Sequence, residues 1–360
     1  MAENEDPVPD QPAYEPIGGG MPGFDDLDDA RENPASLGGL QAGFLVRSAL
    51  ATALQAGRSP RFWWGTAAVL GVCWGTGVLL VLAVATGGDL PPESHGWTYM
   101  LTAAALVLAS CMLAVRWGVR SGSAAPAAAD GGGDDGGPLL IWARASAKGL
   151  MFAAAAGVFL LLFALWSGPS PAVAGVAFVL MACEVVVFGG IGAGAVRWFE
   201  GHWGRILAWG VTGLFLVGNV AAAVALLPAV RSYEPVLVAI NIERDGFGQM
   251  TSYRCSPEFR GIVEVYHTER IFWLATSNPL LILALLAGEA EPQENPLDWL
   301  PGELQKAAEG TQVPCVEGGP AEKSGAEMPL AMAGLATQFA AAGILLAGGH
   351  RGARRRSVAG

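Results

Sequence analysis

Residues 171–196 read PAVAGVAFVLMACEVVVFGGIGAGAV, an apolar run interrupted by a single acid, Glu184. A helix needs about 20 such residues to cross a hydrocarbon core of about 30 Å. A backbone in lipid must satisfy its own N–H and C=O groups, so the run is predicted to be a spanning helix. Further runs of the same kind lie at roughly 62–86, 96–115, 149–167, 206–230 and 329–349. The expected fold class is therefore an all-α polytopic membrane protein with six transmembrane helices.

The segments between the runs alternate in charge. Arg47, Arg58 and Arg61 precede the first run. Arg116, Arg120, Arg144 and Lys148 separate the second from the third. Arg197 and Arg205 separate the fourth from the fifth, and Arg351, Arg354, Arg355 and Arg356 end the sixth. Segments 87–95 and 168–170 carry neither Lys nor Arg. Because Lys and Arg mark the cytoplasmic side, this pattern predicts both termini inside, a multi-pass protein of the cytoplasmic membrane, and one large outside segment at 231–328.

Composition agrees: 52% of residues are hydrophobic and only 15% charged. The net charge of −11 comes from a tail and the outside segment. Residues 1–36 hold ten acids and one Arg, and residues 231–327 fifteen acids and seven basic residues. No basic surface with interleaved aromatics exists to neutralise phosphates, so nucleic acid is not an expected partner. The acidic start lacks a signal-peptide pattern, and the first spanning helix is expected to serve as an uncleaved insertion signal. Cys73, Cys111 and Cys183 fall within predicted helices and read as small apolar residues. Cys255 and Cys315 share the outside segment and form a reasonable disulfide pair.

Between these landmarks, residues 1–36 have the Pro/Gly/Asp/Glu composition of a disordered cytoplasmic tail. Residues 37–61 place Phe44, Leu45, Leu50 and Leu54 at near-helical spacing, which predicts an amphipathic helix on the membrane surface, followed by the aromatic anchor Phe62, Trp63 and Trp64. An Ala/Gly/Asp linker at 118–138 leads to a short interfacial helix near Leu139–Trp142. Ser167–Pro171 joins the third and fourth runs in a tight hairpin. Gly71, Gly75, Gly189, Gly190, Gly192 and Gly194 are expected to let helices pack closely. Outside, 235–242 and 261–266 read as strands. Residues 271–288 form an apolar run broken at Asn278–Pro279. A seventh crossing would put Arg351–Arg356 outside and split Cys255 from Cys315. A re-entrant helix with Pro279 at its start fits better. The basic tail is expected at 350–360.

Glu184 is the ionisable side chain set deepest in a predicted helix, where a charge is costly unless paired or wetted. It either lines a translocation path, or carries a proton, or is a structural Glu facing another helix. Asn219 and Gln338 are its possible polar partners. The four histidines are scattered and offer no metal-ligand spacing. No G-x-x-x-x-G-K-[ST] or G-x-S-x-G sequence occurs. No cofactor, metal or catalytic set is expected, and the chain is not expected to be an enzyme.

Tyr253-x-Cys255, His267-Thr-Glu-Arg270, Phe272-Trp273 and Leu274-Ala-x-x-Asn278-Pro279 with its apolar continuation give residues 149–349 a likeness to a known family. The stretch resembles ABC transporter permeases of the type-2 exporter class, in the form common in high-GC Gram-positive bacteria. The resemblance implies a permease half that works with a second permease subunit and separate ABC ATPase subunits. The ATPase would grip residues 37–61 and the 116–148 loop, and Asn278–Pro279 would belong to a re-entrant element near the exit. The loop at 121–138 departs from the family in lacking its Gly-Glu-Arg-Glu-like stretch. A second reading is a non-transporting sensor or assembly protein whose disulfide-bonded outside segment binds a partner. A membrane-embedded enzyme is a third.

Overall fold

A computed structural model describes residues 34–85, 94–123, 137–168, 170–199, 201–244, 250–291, 299–309, 315–316, 319–320 and 329–359. The tail over 1–33 and the linker over 124–136 lie outside the described residues.

Helix α1 runs Pro34–Arg58, so it starts and stops slightly earlier than the 37–61 expected. Leu50 and Leu54 stay exposed while Ala56 is buried, so the large apolar residues face away from the bundle. Ser59 is extended, and Pro60 opens α2 (Pro60–Val84), a position where a missing N–H costs nothing. Helix α3 spans Ser94–Ser123. Helix α4 spans Pro138–Ser167 without interruption. The short interfacial helix expected before it is therefore its first turns, since no Pro or Gly breaks the ladder until Lys148-Gly149 and a helical Gly is tolerated. Gly168 ends α4 in the left-handed region (φ 99°), and Ser170 Oγ accepts from Ala172 N at 3.1 Å to start α5 (Pro171–Trp198). Helix α6 (His202–Val230) contains a π turn at Leu214–Gly218.

Strands β1 (Arg231–Arg244) and β2 (Met250–Tyr266) form an antiparallel hairpin, longer than the two short strands expected. Then come α7 (Phe272–Thr276), α8 (Pro279–Ala290), α9 (Trp299–Glu309), β3 (Cys315–Val316) and β4 (Gly319–Pro320). The sheet order is β2-β1-β3-β4. Helix α10 spans Leu330–Ala359. The basic tail at 350–360 is thus largely a continuation of the last helix rather than a separate element.

Helices α2 to α6 and the Leu330–Ala353 part of α10 are long and apolar enough to cross a membrane. The chain is a multi-pass membrane protein, with six such helices among the described residues. Helix α5 is central, packing against α3, α4 and α10. Its glycines make this possible: a Cβ on Gly192 would stand 2.6 Å from Val115 O, and one on Gly194 would stand 2.6 Å from Leu345 O. Gly71 and Gly75 meet nothing within 4 Å. Their expected packing role is not met among the described residues, because α2 turns that face away from them.

Cys255 and Cys315 are bonded, with Cα atoms 5.7 Å apart. The bridge ties β2 to β3 and closes a loop holding α7, α8 and α9. A loop of about 60 residues stabilises by about 4 kcal/mol in the chain-entropy model.

Close backbone contact at Gly192 predicts that Gly192→Ala lowers stability by about 2–3 kcal/mol, whereas Gly71→Ala stays within about 0.5 kcal/mol of wild type. Thermal unfolding of the detergent-solubilised pair checks this, and equal behaviour would remove the packing argument. The disulfide predicts a gel mobility shift on reduction that is absent in Cys255→Ser. Protein from intact cells that shows no shift would mean that the bond does not form.

Candidate functional site: a polar seam at a broken helix

The site begins with a sequence conflict. Residues 272–290 are apolar enough to be one helix, but Pro279 has no N–H and forces the residue before it out of the helical region. Asn278 accordingly sits at ψ 126°. Its Oδ1 accepts from Leu280 N at 2.9 Å, capping α8. Its own N donates to Ala275 O at 2.9 Å, closing α7.

The break leaves backbone groups that the apolar interior cannot solvate. Helix α10 covers two of them. Gln338 Nε2 donates to Ser277 O at 2.9 Å. One turn away, Gly334 lies against Thr276 O, where a Cβ would come within 2.1 Å. Helix α6 supplies the opposite side. Its π turn exposes carbonyls, and Asn278 Nδ2 donates to Phe215 O at 3.2 Å and Leu216 O at 2.9 Å. Asn219 Nδ2 donates to Ser277 Oγ at 3.2 Å, and Asn219 Oδ1 lies 3.3 Å from Asn278 Nδ2. Asn219, Ser277, Asn278 and Gln338 are all buried.

The segment leaves and rejoins the bundle at one end. His267 N donates to Val230 O at 2.9 Å, where α6 ends. Glu291 Oε1 accepts from Ser170 N at 3.0 Å, in the turn between α4 and α5. Helices α5 and α6 are joined by only 199–201, so Ser170 and Val230 mark the same end. Asn219 lies about 16 Å below Val230 at about 1.5 Å per residue, and the 12 residues of α8 rise about 18 Å. The two lengths match.

Glu184 extends the seam to α5 and α3. It is wholly buried, with Cys111 Sγ 3.7 Å from Oε2. Gln338 stands beside the carboxyl, although Glu184 Oε1 and Gln338 Oε1 both lack a hydrogen-bond partner among the described residues. Each is a buried acceptor that a donor on a passing molecule, or for Glu184 a proton on the carboxyl itself, would satisfy.

Of the expected partners of Glu184, Gln338 is therefore its neighbour, whereas Asn219 belongs to the break. Cys111, expected to be a small apolar residue, is a neighbour too. Neither Ser277 nor the π turn was legible from pattern, since Leu214–Gly218 reads as ordinary apolar helix. The β1–β2 hairpin holds a second cluster. His267 Nδ1 lies 2.8 Å from Glu269 Oε1, and Nε2 lies 2.9 Å from Glu234 Oε1 and 3.0 Å from Ser232 Oγ. Ser232 Oγ also lies 3.0 Å from Glu234 Oε1. With Glu234 as competing acceptor, His267 has no dedicated claim on the Ser232 proton, and the cluster serves to clasp β1 to the end of β2.

Comparison with protein-family models, with curated proteins and with solved structures finds no match for this chain.

Asn278 both caps α8 and pairs two carbonyls, so Asn278→Ala is expected to cost about 2–3 kcal/mol. Asn278→Asp keeps the cap but offers the carbonyls no donor, and is expected to cost at least as much. Unfolding in detergent measures both, and a near-neutral Asn278→Asp would separate Asn278 from the π turn.

Proposed function

We propose that this chain is the membrane-spanning permease subunit of an ATP-driven, ABC-type exporter in the cytoplasmic membrane. It would act with a second permease subunit and a separate ATPase that performs all ATP hydrolysis. The observation that carries the reading is the broken helix between the fifth and sixth spans, which enters the bundle at Asn278–Pro279 and returns to the end it left. Such a path supports the re-entrant element that the family resemblance calls for. Both termini would lie in the cytoplasm, with the hairpin and disulfide outside.

A second contact supports this reading. Arg144 Nε donates to Ser48 Oγ at 3.0 Å, joining α1 to the start of α4. These are the two cytoplasmic pieces an ATPase would grip, so a push on either is felt by both. Movement of α10 against the break would part Gln338 from Ser277 O and open the seam. Glu184 Oε1 and Gln338 Oε1 would then meet the substrate's polar groups or water midway across.

A different observation favours a non-transporting sensor or assembly protein. Tyr233 and Ile262, on one face of the hairpin, are exposed, apolar groups of the kind that partners cover.

On the exporter reading, the protein co-purifies with a soluble ATPase, and the reconstituted pair hydrolyses ATP faster when substrate is present. Glu184→Gln is expected to insert and assemble normally but to flatten the pH dependence of transport. Assembly without any ATPase, in membranes where the outer hairpin captures a partner, would favour the sensor reading instead.

A further inference from the structure

The Arg-rich end of the bundle carries a feature unconnected with the buried seam. Where α5 ends beside α10, a cleft of about 780 Å³ opens, within the range of small-molecule pockets. Its wall is the stacked pair Trp198 and Phe199, with ring centroids 5.5 Å apart. Gly348 lets the indole lie directly on the α10 backbone, since a Cβ there would come 2.4 Å from the Trp198 ring. Ile344 and Ala347 continue the apolar lining along α10.

Arg351 and Arg355 stand at the other side of the cleft, both exposed. They are four residues apart on a helix, so both guanidiniums lie on one face. The apolar run of α10 ends at Gly349, two residues before Arg351. The cleft therefore straddles the level at which hydrocarbon gives way to headgroups, where Trp rings settle and Arg side chains reach for phosphate.

This combination discriminates among ligands by chemistry. A soluble anion would use the arginines and leave the aromatic wall idle. A lipid without net charge would use the wall and leave two cations unmatched. An amphipathic anion matches both halves.

We propose that this cleft binds one anionic phospholipid from the adjoining leaflet, with its phosphate between Arg351 and Arg355 and an acyl chain along Ile344, Ala347 and the Trp198–Phe199 pair. Such a lipid would pin the last turns of α10 to the end of α5. Because α10 also carries Gln338, it would brace the helix that covers the break.

Native mass spectrometry of the full-length protein, released from detergent in the presence of phosphatidylglycerol or phosphatidylcholine, tests the proposal. Wild type is expected to retain one phosphatidylglycerol in preference to phosphatidylcholine. Arg351→Gln with Arg355→Gln is expected to lower that retention about ten- to thirty-fold. Ala347→Trp fills the cleft without changing charge and is expected to lower it as well. Arg205→Gln, exposed but outside the cleft, is expected to change nothing. Equal retention of the two lipids, an undiminished signal in Ala347→Trp, or an equal loss in Arg205→Gln would overturn the proposal. Competition by inorganic phosphate would do so too, by assigning the site to a free anion.

Discussion

A helix broken inside an apolar bundle exposes backbone carbonyls that have no water to turn to, and much of this molecule is arranged around that fact. The break at Asn278 frees Thr276 O and Ser277 O, and the π turn in α6 frees Phe215 O and Leu216 O. Left unpaired in lipid, each such group costs several kcal/mol. Two irregularities set side by side remove the problem, because Asn278 bridges from one to the other. Gln338 and Gly334 close the remaining side, the first by donating a hydrogen bond and the second by having no side chain in the way.

Helix α5 is what permits this arrangement to sit in the centre. Its glycines bring α3 and α10 to backbone contact, and that closeness sets Cys111, Glu184 and Gln338 in one row. Packing at such distances is rigid, so a change at Gln338 has few ways to relax other than by moving α10. Polar atoms left without partners at the end of the row mark where such a movement would matter.

The β1–β2 hairpin and its disulfide act on the same element. Cys255 and Cys315 enclose α7, α8 and α9 in a single covalent loop. Glu291 anchors the end of α8 to the turn before α5, and His267 anchors the start of the segment to the end of α6. The segment is thus tethered at both ends and cannot be withdrawn without disturbing the sheet.

The six spanning helices, the pairing of Cys255 with Cys315 and the position of the break at Pro279 could all be read from the chain. Each follows from a local rule: length of apolar run, compartment of a thiol, or the missing N–H of proline. The continuity of α4, the idle glycines of α2 and the true neighbours of Glu184 could not. They depend on which face of one helix meets which face of another, and six apolar helices that each look alike to lipid carry no such instruction in their periodicity. Composition by itself settled that this chain lives in a membrane and where it bends. Only the packed bundle decided that Asn219 serves the break rather than Glu184, because the π turn rotates that residue toward Ser277, a rotation set by contact and not by the order of residues.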